Sequence, residues 1–237
     1  MAISTRFLRL VVYGKRHGIR EAVRRANEVI ARAIFSPWIL FYCDLEGPAK
    51  EARLSDSARV DQKRAASELG EADRQLITEF WNPEVSRRNL DERFSQGASL
   101  WLLKCGDELR GYVWTLRGGT IEPYYFPLGA NDFHFFDLWV FPEYRGWSMI
   151  PLLVKEVARR LAAEGGSRAF CEVAEWNQAS LFFQRLTGFR RLGCARKLTL
   201  FGRTLVWRSA KESPKPISNQ RARSSGDRTK LEFSART

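Results

Sequence analysis

A chain of 237 residues, 44% hydrophobic and 13% aromatic, holds enough apolar matter for one substantial core and too little for two. Its formal net charge of +12 is uneven: residues 1–37 carry 8 basic and 2 acidic groups, residues 209–237 carry 7 and 3, and the stretch between carries 24 and 22. The excess belongs to the two ends, so the middle is not a polyanion-binding domain by charge. No stretch approaches the roughly 18 uninterrupted apolar residues of a membrane span. The run Phe7 to Tyr13 is short and broken by Arg9, and a cytoplasmic protein is expected, at most peripheral at a membrane. Cys43, Cys105, Cys171 and Cys194 lack CxxC spacing and sit in strand-like settings, which predicts buried thiols and no metal.

Ile19, Val23, Ala26, Ile30 and Ile34 recur at helical spacing among Arg20, Arg24, Arg25 and Arg32, predicting a basic amphipathic helix. Such a helix either docks on its own domain or lies against an anionic membrane or nucleic acid. "WILFYCDL" (38–45) predicts a buried strand, and "EARLSDSARVDQKRAASELG" a polar connector. Helices follow over 71–81 and 83–95, the second opening on a proline suited to a first turn. Strands are expected over 99–105 and 109–116, around a Gly106-Asp107 turn, then over 133–140, with an extended piece at 124–128 between them. Beyond come a helix over 150–164, a strand over 168–173, a helix capped by Gly188, and a hairpin around Phe201-Gly202-Arg203. Trp101, Trp114, Trp139 and Trp176 are assigned to the core. Residues 209–237 are rich in Ser, Pro, Lys and Arg and predict a disordered basic tail. The fold class is α/β (α+β): a mixed, mostly antiparallel sheet of about seven strands flanked by helices.

The segment "FPEYRGWSMIPLLVKEVARRLAAEG" (141–165) carries a strand through a basic, glycine-containing loop into a helix. The first turn of that helix offers free backbone N–H groups and a partial positive dipole, a combination that holds phosphate. Arg145 adds a full charge, and Gly146 admits close backbone approach.

Two blocks give this loop a context. "LWVFPEYRGWSMIPLLV" resembles the acyl-CoA-binding segment of the GCN5-related N-acetyltransferase (GNAT) superfamily, and "NQASLFFQRLTGF" is similar to that superfamily's N-x-x-A/S…G-F signature. The resemblance covers roughly residues 38–208 and implies one acyltransferase domain there, between a basic N-terminal extension (1–37) and the tail. It implies acetyl-CoA or another acyl-CoA as co-substrate, and a small-molecule amine as acceptor. Backbone N–H groups of Arg145, Gly146, Trp147, Ser148, Met149 and Ile150 would bind the pyrophosphate. The pantetheine arm would pair beside Val140, and the Leu138 amide would polarise the acyl carbonyl. Asn177 takes the family's asparagine position near the cofactor.

The loop departs from the common pattern at Ser148 and Ile150. The position where many members carry a proton-donating tyrosine is Gln184, which has no acidic proton. An ammonium acceptor must lose a proton before it attacks, and His134 falls where some members place a catalytic glutamate. His134 is either that base or a buried strand residue satisfied by a neighbour. Asp137 is the second candidate, and strict alternation puts the two on opposite faces unless the strand bulges. The implied function is N-acyl transfer from CoA to an amine by direct attack. Two other readings stand beside it: a degenerate domain that binds acyl-CoA or a protein without turnover, and an RNA- or membrane-associated transferase docking through its basic ends.

Overall fold

The computed structural model describes residues 37–45, 58–79, 83–122, 124–144, 149–200 and 203–208, together with Arg20 and Val23, which are helical and exposed. The rest of the expected N-terminal helix, the C-terminal tail and loop residues Arg145, Gly146, Trp147 and Ser148 lie outside the described residues.

In chain order the elements are β1 (Trp38–Asp44), β2 (Ala58–Lys63), α1 (Glu71–Glu79), α2 (Pro83–Ser95), β3 (Ser99–Cys105), β4 (Glu108–Arg117) and β5 (Asp132–Val140). Then follow α3 (Met149–Ala163), β6 (Arg168–Ala174), α4 (Gln178–Thr187), β7 (Arg190–Leu200) and β8 (Arg203–Arg208). The strands form one eight-stranded sheet in the order β2-β3-β4-β5-β6-β1-β7-β8. Every pairing is antiparallel except that of β5 with β6.

Two secondary-structure expectations need correction. The segment read as a polar connector contains β2, a strand whose Arg59, Asp61 and Lys63 alternate with Val60 and Gln62 and in which only Val60 is buried. It is an edge strand, and charged side chains on an edge discourage pairing with another chain, so its polarity hides it from a search for apolar runs. Conversely, residues 124–128 are irregular, and Tyr124, Phe126 and Leu128 pack against a small cluster around Leu40, Phe170 and Leu192.

The sheet is covered on both faces. Leu153, Val154, Val157 and Leu161 of α3 pack on one face against Phe41, Phe133, Phe135, Ala169 and Cys171. On the other, Ile77 of α1 and Leu90 of α2 cover Leu100, Leu102, Tyr112 and Trp114. Burial of each such side chain contributes about 1.5–3 kcal/mol. Trp101 and Trp114 are fully buried as expected, and the Trp101 indole N–H donates to Thr115 Oγ1 at 2.8 Å. Trp176 is 57% exposed, because it stands in the turn after β6 rather than on a strand. All four cysteines are free: Cys43 and Cys171 are buried, Cys105 and Cys194 half-buried. Gly188, at φ 84°, ends α4 in the left-handed conformation a C-cap glycine supplies. No helix of the described residues is long and apolar enough to cross a membrane.

Candidate active site

The site is built where β5 and β6 separate. Their parallel ladder has three register pairs, Asp132–Arg168, Phe133–Ala169 and His134–Phe170, and then ends, although both strands continue. The closed end is clamped. Arg168 donates through Nε and one terminal nitrogen to the two Asp132 carboxylate oxygens, both at 2.8 Å, and Asp132 Oδ2 also accepts from the Gly129 amide. A buried, bidentate pair of this kind holds geometry firmly, since losing one partner costs roughly 3–5 kcal/mol. Past His134 the strands diverge, leaving a wedge between Phe135–Val140 on one side and Cys171–Ala174 on the other.

The second feature is a bulge in β5. Its pairing with β4 jumps from Phe136–Trp114 to Trp139–Tyr112, so Asp137 and Leu138 together span the place of Val113. Asp137 has φ 50° and is the one non-glycine residue with positive φ among those described. Side-chain parity inverts there: Phe133, Phe135 and then Leu138 pack toward α3, whereas Phe136 and then Trp139 pack toward α1 and α2. The bulge leaves Asp137 and Leu138 without register partners of their own on β4.

The two candidate bases come to the same region through this irregularity. His134 is 5% exposed, and its Nε2 lies 2.8 Å from Glu172 Oε2, on β6 two residues past the last ladder pair. Its ring stacks on Phe136, with centroids 5.3 Å apart, and meets Tyr124 at 4.9 Å. Nδ1 is buried without a hydrogen-bond partner among the described residues. Burial first, and the nearby Glu172 charge second, push the Tyr124 phenol well above its ordinary range; its hydroxyl contact with Glu172 falls short of hydrogen-bond geometry. Asp137 accepts from Arg93 of α2 at 2.5 Å, and that guanidinium lies over the rings of Trp114 and Phe136.

At the open end, Val140 pairs with Gly111, and the Phe141 amide donates to the Arg110 carbonyl. A single 3₁₀ turn (Pro142–Tyr144) follows, and α3 begins at Met149. Met149 and Ile150 pack partly buried against the main core. Asn177 caps α4, its Oδ1 accepting from the Ser180 amide at 3.2 Å. Gln184 is engaged within α4, its Oε1 accepting from Thr187 Oγ1, and it also reaches the Cys171 thiol. Burial, then the Glu172 and Cys43 charges, hold that thiol well above its ordinary range despite the Gln184 contact.

Sequence reasoning passed over Glu172 and Arg93, and reached Tyr124 only as part of the extended piece at 124–128. Glu172 had a legible signal: it is the single charged residue inside the apolar run "AFCEVA".

No match is found among curated proteins. Among solved structures, the chain is similar to a functionally unknown conserved protein from Staphylococcus epidermidis (8% identity, 67% of this chain and 59% of that one, TM-score 0.46). It is also similar to GCN5-related N-acetyltransferases from Kribbella flavida (11%, 67% and 55%, TM-score 0.44) and Sphaerobacter thermophilus (14%, 72% and 53%, TM-score 0.44). In each case the chain spans less than two thirds of the neighbour's own length. The model of the acetyltransferase (GNAT) family matches residues 66–189, from the turn before α1 through the whole wedge to Phe189 after α4, and the chain belongs to that family.

Proposed function

We propose that this chain is an acyl-CoA-dependent N-acyltransferase, with acetyl the expected group and a small amine the acceptor. The parting of β5 and β6 beyond His134 carries the reading, because it opens two inner strand edges to an extended ligand that can pair like a strand. A bound acyl-CoA supplies an activated thioester. Backbone beside Val140 would hold its pantetheine arm, and amides from Arg145, Gly146, Trp147, Ser148, Met149 and Ile150 its pyrophosphate. The side chain of Ile150 packs on the core, which leaves its amide for that task. Asn177, which caps the helix across the wedge mouth, stands where the family keeps an asparagine near the cofactor.

The chain's own residues divide the chemistry. The Leu138 amide, at the bulge, would donate to the acyl oxygen as negative charge develops there. Removing one such donor costs about 10²–10³ in rate. His134 takes the proton of the acceptor ammonium, directly or through one water. Asp137 is the weaker candidate for base, since its carboxylate is already committed to Arg93.

The test is calorimetric titration with acetyl-CoA and CoA, repeated on Gly146→Asp. A carboxylate at that position should weaken binding at least tenfold, about 1.4 kcal/mol. Folded protein that binds neither ligand would overturn the reading. A panel of polyamines, amino sugars, amino acids and peptides then reports turnover, where His134→Ala should lose about 10²–10⁴ in rate.

A further inference from the structure

We propose that Glu172 is a positioning residue that fixes the tautomer of His134, placing the hydrogen on Nε2 and the basic lone pair on Nδ1. The inference rests on the reading of His134 as the base and adds which nitrogen acts and what aims it. An ionised carboxylate only accepts hydrogen bonds, so the 2.8 Å contact between Nε2 and Glu172 Oε2 requires Nε2–H. The other nitrogen then carries no hydrogen, and Nδ1 is the ring atom that is buried without a partner among the described residues. A buried, unpartnered acceptor is costly in a structural histidine and is what a general base requires.

The surroundings restrict the ring to this role. Phe136 stacks on it at an interplanar angle of 18°, and Tyr124 closes in at 57° from the β4–β5 connection, so the ring is held by packing as well as by Glu172. The polar groups facing the cluster are Glu172 and Cys171 from β6, Tyr124 and Tyr125 from the connection, and Arg93 from α2 behind Phe136. Burial, foremost, pushes both tyrosines and the Cys171 thiol up, keeping them neutral, and Arg93 is paired with Asp137. Glu172 is therefore the charge in contact with the ring. When Nδ1 receives the acceptor's proton, the imidazolium forms against that carboxylate and afterwards sheds the proton to solvent, leaving the charge balance unchanged over a cycle. Glu172 lies two residues past the last pair of the parallel ladder, so its contact with His134 links the two strands where their pairing ends.

Long-range ¹H–¹⁵N correlation spectra of the full chain test this without any acceptor. Only His17 and His134 contribute imidazole signals, and His134→Asn identifies them. The neutral His134 ring should show Nε2–H and a bare Nδ1 in the wild type. Glu172→Gln, whose amide can donate as well as accept, should move the ring toward the opposite or a mixed tautomer and lower kcat on panel amines with acetyl-CoA at least 100-fold, leaving KM for acetyl-CoA within about twofold. An Nδ1–H tautomer in the wild type overturns the proposal, even if Glu172→Gln fails to fold. So does a Glu172→Gln variant with unchanged tautomer and unchanged kcat. If His134→Asn turns over at the wild-type rate, the base reading itself falls; if that variant is inactive while Glu172→Gln is fully active, only the positioning role falls.

Discussion

Gly111 is where the open end of the wedge is most exposed to a small change. It sits on β4 in register with Val140, and a Cβ built on it would lie 2.6 Å from the Trp139 carbonyl oxygen, 3.0 Å from Val140 Cγ2 and 3.2 Å from Val140 Cα. The nearest of these is backbone, so Gly111→Ala cannot be relieved by a rotamer change. The end of β5 must move about 0.4 Å to bring the 2.6 Å contact to the 3.0 Å floor of real Cβ contacts. Overpacking of this kind costs roughly 1–3 kcal/mol, and the reduced freedom of alanine in the unfolded chain returns about 0.5–1 kcal/mol. At the middle of these ranges the net is about 1.3 kcal/mol, which should lower Tm by roughly 3–5 °C for a domain of this size. Because Val140 would lie beside the pantetheine arm, CoA affinity should fall together with stability. Gly193→Ala is the control: it lies on β7 of the same sheet, and its added Cβ meets nothing within 4 Å. Thermal melting and CoA calorimetry on both variants decide the matter. A Gly111→Ala protein that melts with Gly193→Ala and binds CoA like the wild type would refute the close-approach argument.

Thr115→Val keeps shape but removes the acceptor for the Trp101 indole, in a place where both side chains are at most 1% exposed. Stranding that donor should cost about 1–3 kcal/mol in urea unfolding. The Cys43 thiol, raised to about 12 chiefly by burial, and Cys171, raised likewise, should resist iodoacetamide at pH 8 in the native protein and react only in denaturant, as mass spectrometry would report. Glu156 is buried on α3 and held below its ordinary range first by hydrogen bonds from Arg159, then by Arg160, against the opposing effect of burial. A carboxyl depressed in the folded state contributes stability that is present above its unfolded value and lost as pH falls through the folded one. Glu156→Gln should thus unfold at lower urea than the wild type at pH 7, by about 1–2 kcal/mol, and the gap should close below about pH 4.

Much of the fold was legible because its apolar periodicities are strong. The limits of α2 and β3 and the turn at Gly106-Asp107 coincide with expectation, and β1, β5, α3 and β6 agree to within a residue. The sequence conceals what depends on neighbours. β2 reads as a connector because an edge strand offers one buried side chain, Val60, among charges. "YYFPL" reads as extended because its aromatics look like a strand face, whereas they pack as irregular chain over Phe170 and Leu192. The bulge is not legible in "FFDLWV", an apolar run with a single aspartate, until its pairing with β4 shows that the parity breaks at Asp137. Glu172 was overlooked because its meaning comes from His134, 38 residues away, across a ladder that only the folded sheet creates.

The bulge also separates the roles of the two candidate bases. A non-glycine residue in the left-handed region costs about 1 kcal/mol, and aspartate is among the few residues that tolerate it. Asp137 offsets that cost by pairing with Arg93, whose guanidinium is seated on Trp114 and Phe136. A carboxylate held by an arginine on an aromatic platform is a good brace. What it braces is the inverted parity that packs Leu138 toward α3, while Phe136, one residue before the bulge, stacks on His134. On the proposed reading, one irregularity therefore sets both the place of the amide assigned to the acyl oxygen and the wall beside the proposed base. This division of labour explains why the chain places a histidine backed by Glu172 at the point where the strands part, and an aspartate where the strand must bend.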